Sequence, residues 1–133
     1  VTAPVVDAGL LVAAIKTAMT GIAYGEAAKP TVTAGSPYVV AWFDSGTVGD
    51  RSLRSRDGFS LVATFQCYGS SPESVRIAVR KVRAAVFSLF GTTVGGRTVL
   101  MPESLASPPM QRDDDVQPPL WWQADEWRFR TTA

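Results

Sequence analysis

The chain predicts an α+β fold, a mostly antiparallel sheet with two amphipathic helices packed on one face. Three observations predict it. First, a strand with strict two-residue alternation, Gly58 to Tyr68, runs through Gly69-Ser70-Ser71 directly into a helix-start signal at Ser71-Pro72-Glu73. Second, a separate helical pattern opens the chain. Third, the remaining strand-like segments come in pairs without intervening helices, which suits hairpin-like antiparallel neighbours.

The first helix starts between Pro4 and Asp7. Proline suits a first helical turn, and an aspartate suits the positive end of the helix dipole. Leu11, Ile15, Ala18 and Ile22 then form an apolar stripe, and Gly21 and Gly25 end it. Residues 25–37 read as a loop with at most a short strand around Thr31–Thr33. Tyr38 to Phe43 is β-branched and aromatic, apolar on both faces, and bounded by Ser36-Pro37 and Asp44-Ser45-Gly46, so it reads as a buried strand. A polar loop from Asp44 to Asp57 carries Arg51, Arg54 and Arg56.

In the long strand, Phe59, Leu61, Ala63, Phe65 and Cys67 make one apolar face, with Ser60, Thr64 and Gln66 opposite. Ser71 suits an N-cap, Pro72 the first helical position and Glu73 the positive dipole end. Val75, Val79, Val82, Val86 and Leu89 recur at helical steps as a core-facing seam, flanked by Arg76, Arg80 and Arg83 on what reads as a solvated side. Gly91 stops this helix. Arg97 to Met101 is a short strand. The segment 102–119 holds five of the nine prolines together with Asp113-Asp114-Asp115, and reads as a long loop. Leu120 to Arg130 closes the chain as an aromatic strand. Trp127 and Phe129 share one face, and Glu126, Arg128 and Arg130 share the other.

At 133 residues the chain is expected to be a single domain, 1–133, large enough to bury a core without metal or disulfide staples. With 46% hydrophobic and 19% charged residues it lies far from the disordered class. A net charge of +1 argues against nucleic-acid binding by bulk electrostatics. No apolar run approaches the length of a membrane span, so no membrane partner is expected.

Candidate chemistry is sparse. Histidine is absent, which removes imidazole-dependent triads and the usual zinc ligands, and Cys67 is the only cysteine. It reads as a small core hydrophobe. The stretch Gly91-Thr92-Thr93-Val94-Gly95-Gly96-Arg97-Thr98 resembles a phosphate-binding loop with arginine for lysine. A helix precedes it and a strand follows, the reverse of the arrangement phosphate binding needs, so it reads as a turn. The segment Asp57 to Thr64 touches an RNA-recognition pattern at Gly58-Phe59 alone, lacking its basic start and stacking aromatics. Asp113-Asp114-Asp115 lacks the alternation, glycine and distal glutamate of a calcium loop and reads as a solvated acidic run. No enzyme activity and no cofactor are expected.

Taken together, the strand Pro37 to Trp42, the loop Gly49-Asp50-Arg51, the strand Phe59 to Tyr68, the helix Ser71 to Phe90 with its Val-Arg-Ala-Ala-Val run, and the closing Glu126-Trp127-Arg128-Phe129-Arg130 resemble the tail terminator (tail completion) proteins of long-tailed bacteriophages. The resemblance implies a structural virion protein located at the head-proximal end of the tail, and in the host cytoplasm during assembly. It implies a homo-oligomeric, hexameric ring on the end of the tail tube that stops polymerisation and presents the surface for head joining. The implied partners are the major tail tube protein and the head–tail connector protein, with DNA only passing through the lumen. A head-completion or neck ring of the same virion is the alternative. A ring needs two different, complementary patches on each subunit. Arg51, Arg54 and Arg56 of one copy are expected to face Asp113, Asp114 and Asp115 of the next, and Glu126, Arg128 and Arg130 to serve ring or tube contacts.

Overall fold

The computed structural model describes residues 4–31, 36–44, 47–48, 59–115 and 119–132, with backbone alone at 4–8 and 47–48. The chain runs α1 (Pro4–Ala18), β1 (Tyr24–Glu26), β2 (Tyr38–Phe43), β3 (Thr47–Val48) and β4 (Phe59–Gly69). It continues through α2 (Pro72–Ser88), β5 (Thr93–Val94), β6 (Arg97–Thr98), β7 (Glu103–Ala106), β8 (Gln111–Asp113) and β9 (Leu120–Thr131).

The spine is the antiparallel pair β4 and β9, in unbroken register from Phe59↔Thr131 to Gly69↔Trp121. The main sheet has the order β1-β2-β4-β9-β7, with β3 on β4 and β8 on β9. Every pairing in it is antiparallel except β1 with β2. Burial along β4 alternates without a break. Phe59, Leu61, Ala63, Phe65 and Cys67 are buried against the helices, and the residues between them are half-buried. The register sets Asp125, Trp127 and Phe129 of β9 on that same face. Both helices pack there, as an α+β layer.

Helix α2 begins where its start signals lie. Ser71 is extended, its Oγ accepts from the Ser74 backbone N–H at 3.2 Å, and Pro72 follows as the first helical residue. Val75, Val79, Val82, Val86 and Leu89 are all buried, joined by Ala78 and Ala85. Gly91 follows the helix at φ +80°, a conformation open to glycine. In α1 and the turn after it the buried residues are Leu11, Ile15 and Met19, while Ala18 and Ile22 are only half-buried. The stripe therefore continues at i+4 through the final turn.

Four differences from the sequence reading have physical causes. The strand sought around Thr31–Thr33 lies earlier, at Tyr24–Glu26, paired in parallel with Val39–Ala41; Thr31 carries no strand, and 32–35 fall outside the described residues. Gly25 is needed there, because a Cβ on it would stand 2.0 Å from the Ala28 carbonyl oxygen. The phosphate-loop look-alike is a small hairpin, β5 with β6, whose two turn residues Gly95 and Gly96 have φ of +59° and +79°, as a tight I′ connection demands. The strand expected over Arg97–Met101 shortens to β6, with one bridge from Val99 to Thr131. Finally, 102–119 is not all loop. It supplies two edge strands, β7 and β8, both on β9 and separated by Pro108-Pro109. Proline bars a central strand but tolerates such an edge.

The polar loop 44–57 contributes the two-residue β3 against Ser60 and Phe59. Asp44 anchors its start, exchanging backbone hydrogen bonding with Val62 through its N–H and its Oδ1, each at 3.1 Å.

Candidate interaction surface

The open face of the sheet displays alternate residues of three long strands. At one end Tyr38 stacks on Tyr68 at 4.9 Å, and Tyr68 on Trp122 at 6.5 Å, with the Tyr68 hydroxyl donating to Gln66 Oε1. At the other end lie Glu126, Arg128 and Arg130, opposite Thr64, Val62 and Ser60. The structure thus brings these three expected site residues onto one face. Glu103 of β7 joins them. Its Oε2 lies 3.7 Å from Arg128 and 3.9 Å from Arg130, with all three side chains substantially exposed. Such wide, wet ion pairs hold their partners weakly and leave both guanidiniums available to another surface.

The acidic run divides into different roles. Asp113 ends β8, half-buried, and its Oδ1 accepts from the Asp115 N–H at 3.0 Å, closing a local turn. Asp114 pairs with Arg112, whose guanidinium also lies 5.8 Å from the Trp121 ring. Asp115 stays exposed. Arg51, Arg54 and Arg56 lie outside the described residues.

Sequence reasoning missed the most constrained polar cluster. Asp125 is fully buried on the helix side of β9. Its carboxylate accepts two parallel bonds from Arg83, Nε to Oδ2 at 3.0 Å and Nη2 to Oδ1 at 3.3 Å, and a third from Trp127 Nε1 at 3.0 Å. Arg83 also donates to Ser107 Oγ, which accepts from Gln123 as well. Arg83 lies on the exposed flank, its side chain 45% accessible, and still reaches in as a fork across helix and sheet. The hydrogen bond to Asp125 raises its pKa further above the ordinary arginine value. A signal was present: Asp125 shares the parity of Trp127 and Phe129, so an acid stood on the apolar face.

Cys67 belongs to the same neighbourhood. Burial first, and the Asp125 charge second, push its thiol up to about 12, partly offset by Arg83. At neutral pH it is a thiol, not a nucleophilic thiolate. Tyr24 is likewise pushed up to about 12, by burial and then by Glu26. Among the described residues no group of histidine, cysteine and carboxylate side chains is placed to hold a metal, and no described helix is long and apolar enough to cross a membrane.

The surface carries shallow clefts. One of ≈ 320 Å³ runs along α2 between Arg76, Val79, Arg80, Arg83 and Gln123. Another of ≈ 390 Å³ separates the end of α1 from α2 and is lined mainly by small and polar residues. Neither brings a nucleophile together with a base.

The fold, unlike the residues, has a clear counterpart. It matches a virion chain. A solved structure described as "Virion of native gene transfer agent (GTA) particle" contains a chain that aligns with TM-score 0.65 over 96% of this chain and 98% of that one, at 17% identity. At that identity the likeness establishes a shared fold. No known family and no curated protein matches the sequence.

Proposed function

We propose that this chain is a structural virion protein of a tail-related assembly. The observation that carries this reading is the end-to-end correspondence with a chain of a gene transfer agent virion. The surface supports the same reading: Glu103, Arg128 and Arg130 are displayed on an open sheet face, and the one thiol is buried and protonated.

Within that class, the specific role is the closing ring of the tail. Copies join head to tail into a ring, expected to be hexameric, which caps the tail tube, ends its polymerisation and offers the surface for the head–tail connector. The major tail tube protein would meet one side of the ring, and DNA would pass through the lumen. The basic loop with Arg51, Arg54 and Arg56 would face the Asp113–Asp115 turn of the next copy, a heterologous contact that can close. The Glu126, Arg128 and Arg130 face would serve ring or tube contacts. A neck or head-completion ring of the same virion is the second reading, since the matched virion as named does not distinguish tail from neck.

Particles assembled without this chain are the direct test. Tails of uncontrolled length support the terminator role. Tails of normal length that fail to join heads support the neck role, and properly finished particles discard both. Reversing charge on either the arginine loop or the aspartate turn should weaken the ring, and reversing both should restore it. If the double reversal assembles no better than either single one, that pairing is wrong.

A further inference from the structure

The flank of α2 has more cationic capacity than the fold uses. Of its three arginines, Arg83 is committed to the buried Asp125 carboxylate. Arg76 and Arg80 are exposed, line the same cleft as Val79 and Gln123, and make no ion pair among the described residues. They stand four residues apart on one helix, so their Cα atoms are about 6 Å apart along its axis. The cleft between them is walled by Arg83 and Gln123, whose orientations are held by Asp125, Ser107 and the Pro108 carbonyl. A fixed wall beside two exposed guanidiniums is suited to planar, bidentate acceptors.

We propose that this cleft is a docking site for an acidic segment of a partner protein, one presenting two acidic residues whose Cα atoms are about 6 Å apart. That spacing is met by acidic residues at i and i+4 of a helix, or at i and i+2 of a strand. Charge argues for protein over nucleic acid. Polyanion binding grows with the number of phosphates neutralised, and two free arginines on a chain of net charge +1 give few. The site is independent of whether copies of this chain close into a ring.

The test titrates the full ¹⁵N-labelled chain with three probes and follows the backbone amides of residues 76–83 and Gln123. The probes are a helical peptide with glutamates at i and i+4, the same peptide with glutamines, and a single-stranded oligodeoxynucleotide. Saturating shifts are expected with the glutamate peptide and none with the glutamine peptide. Binding should weaken about tenfold in Arg76→Gln and about tenfold again in the Arg76→Gln, Arg80→Gln pair, as loss of one charge-assisted contact each predicts. Both positions are exposed, so the remaining spectrum should stay in place. Absence of α2 shifts at millimolar glutamate peptide overturns the proposal, as does equal binding by the double variant. Tighter binding of the oligonucleotide at the same amides would replace the protein partner with nucleic acid. Shifts at those amides driven by the concentration of the chain alone would replace the partner with a second copy of this chain.

Discussion

Strand β9 carries ion pairs on both of its faces, and they do opposite jobs. On the helix side Asp125 is stripped of water and receives a fork from Arg83 plus a bond from Trp127, all at 3.0–3.3 Å. On the open side Arg128 and Arg130 share Glu103 at 3.7–3.9 Å, in water. Both are guanidinium–carboxylate contacts, so their intrinsic chemistry is nearly the same. What differs is the dielectric and the number of bonds to each carboxylate. A buried carboxylate without its partner is a large penalty, because it can neither be solvated nor easily neutralised. An exposed one loses little. The inner pair therefore ties α2 to β9, while the outer group leaves its charges free for another surface.

The sharpest way to break this contrast is Arg83→Leu, which strands Asp125 in the core. It should cost on the order of 3 kcal/mol, read as a lower urea midpoint at unchanged m-value. Adding Asp125→Leu should recover much of the loss, because two apolar groups replace both charges. A loss below about 1 kcal/mol for the single variant would show that the inner pair behaves like the outer one.

Next in size is Gly25→Ala, at the far edge of the sheet. Its Cβ would meet the Ala28 carbonyl oxygen at 2.0 Å. Relief requires β1 to shift, at about 2 kcal/mol in the same denaturation assay.

Alkaline pH offers a third probe of the buried side. Cys67 and Tyr24 both have folded pKa values raised to about 12. Above their ordinary values the unfolded chain releases protons that the folded chain retains. Stability is then full below about pH 8.5 and falls as pH rises towards 12, by up to about 1.4 kcal/mol per unit for Cys67 while it titrates and by less for the half-buried Tyr24, which solvent screens. Cys67→Ala should flatten the first part of that decline, measured as melting temperature against pH.

The smallest stability effect belongs to the open face. Alanine at Glu126, Arg128 and Arg130 together should change stability by about 0.5 kcal/mol or less per site. Under the proposed role the same triple variant should fail to cap tail tubes. Capping that survives it would remove this face from the assembly contacts.

Much of the architecture was legible from local pattern. The β4–α2 junction combined strict alternation, a serine cap, a proline at the first helical position and a valine seam, and each of these acts over a few residues. β1, β7 and β8 were not legible in that way. Each is three or four residues long and owes its existence to backbone bonds with β2 or β9. Side-chain pattern carries almost no trace of such pairing. The placement of Glu126, Arg128 and Arg130 on one face followed from parity alone. The partners of these residues did not, because Glu103 reaches them only through the pairing of β7.

By itself the sequence determined the two-residue and helical periodicities, the start of α2, the apolar content of the core and the lack of imidazole chemistry. All of these are properties of residue type and near-neighbour spacing. Tertiary structure alone decided that Arg83 of an exposed helix flank would neutralise Asp125, forty-two positions away, and that a proline-rich stretch would finish the sheet edge. Those outcomes depend on which distant backbones meet, and therefore on which charges lose their water.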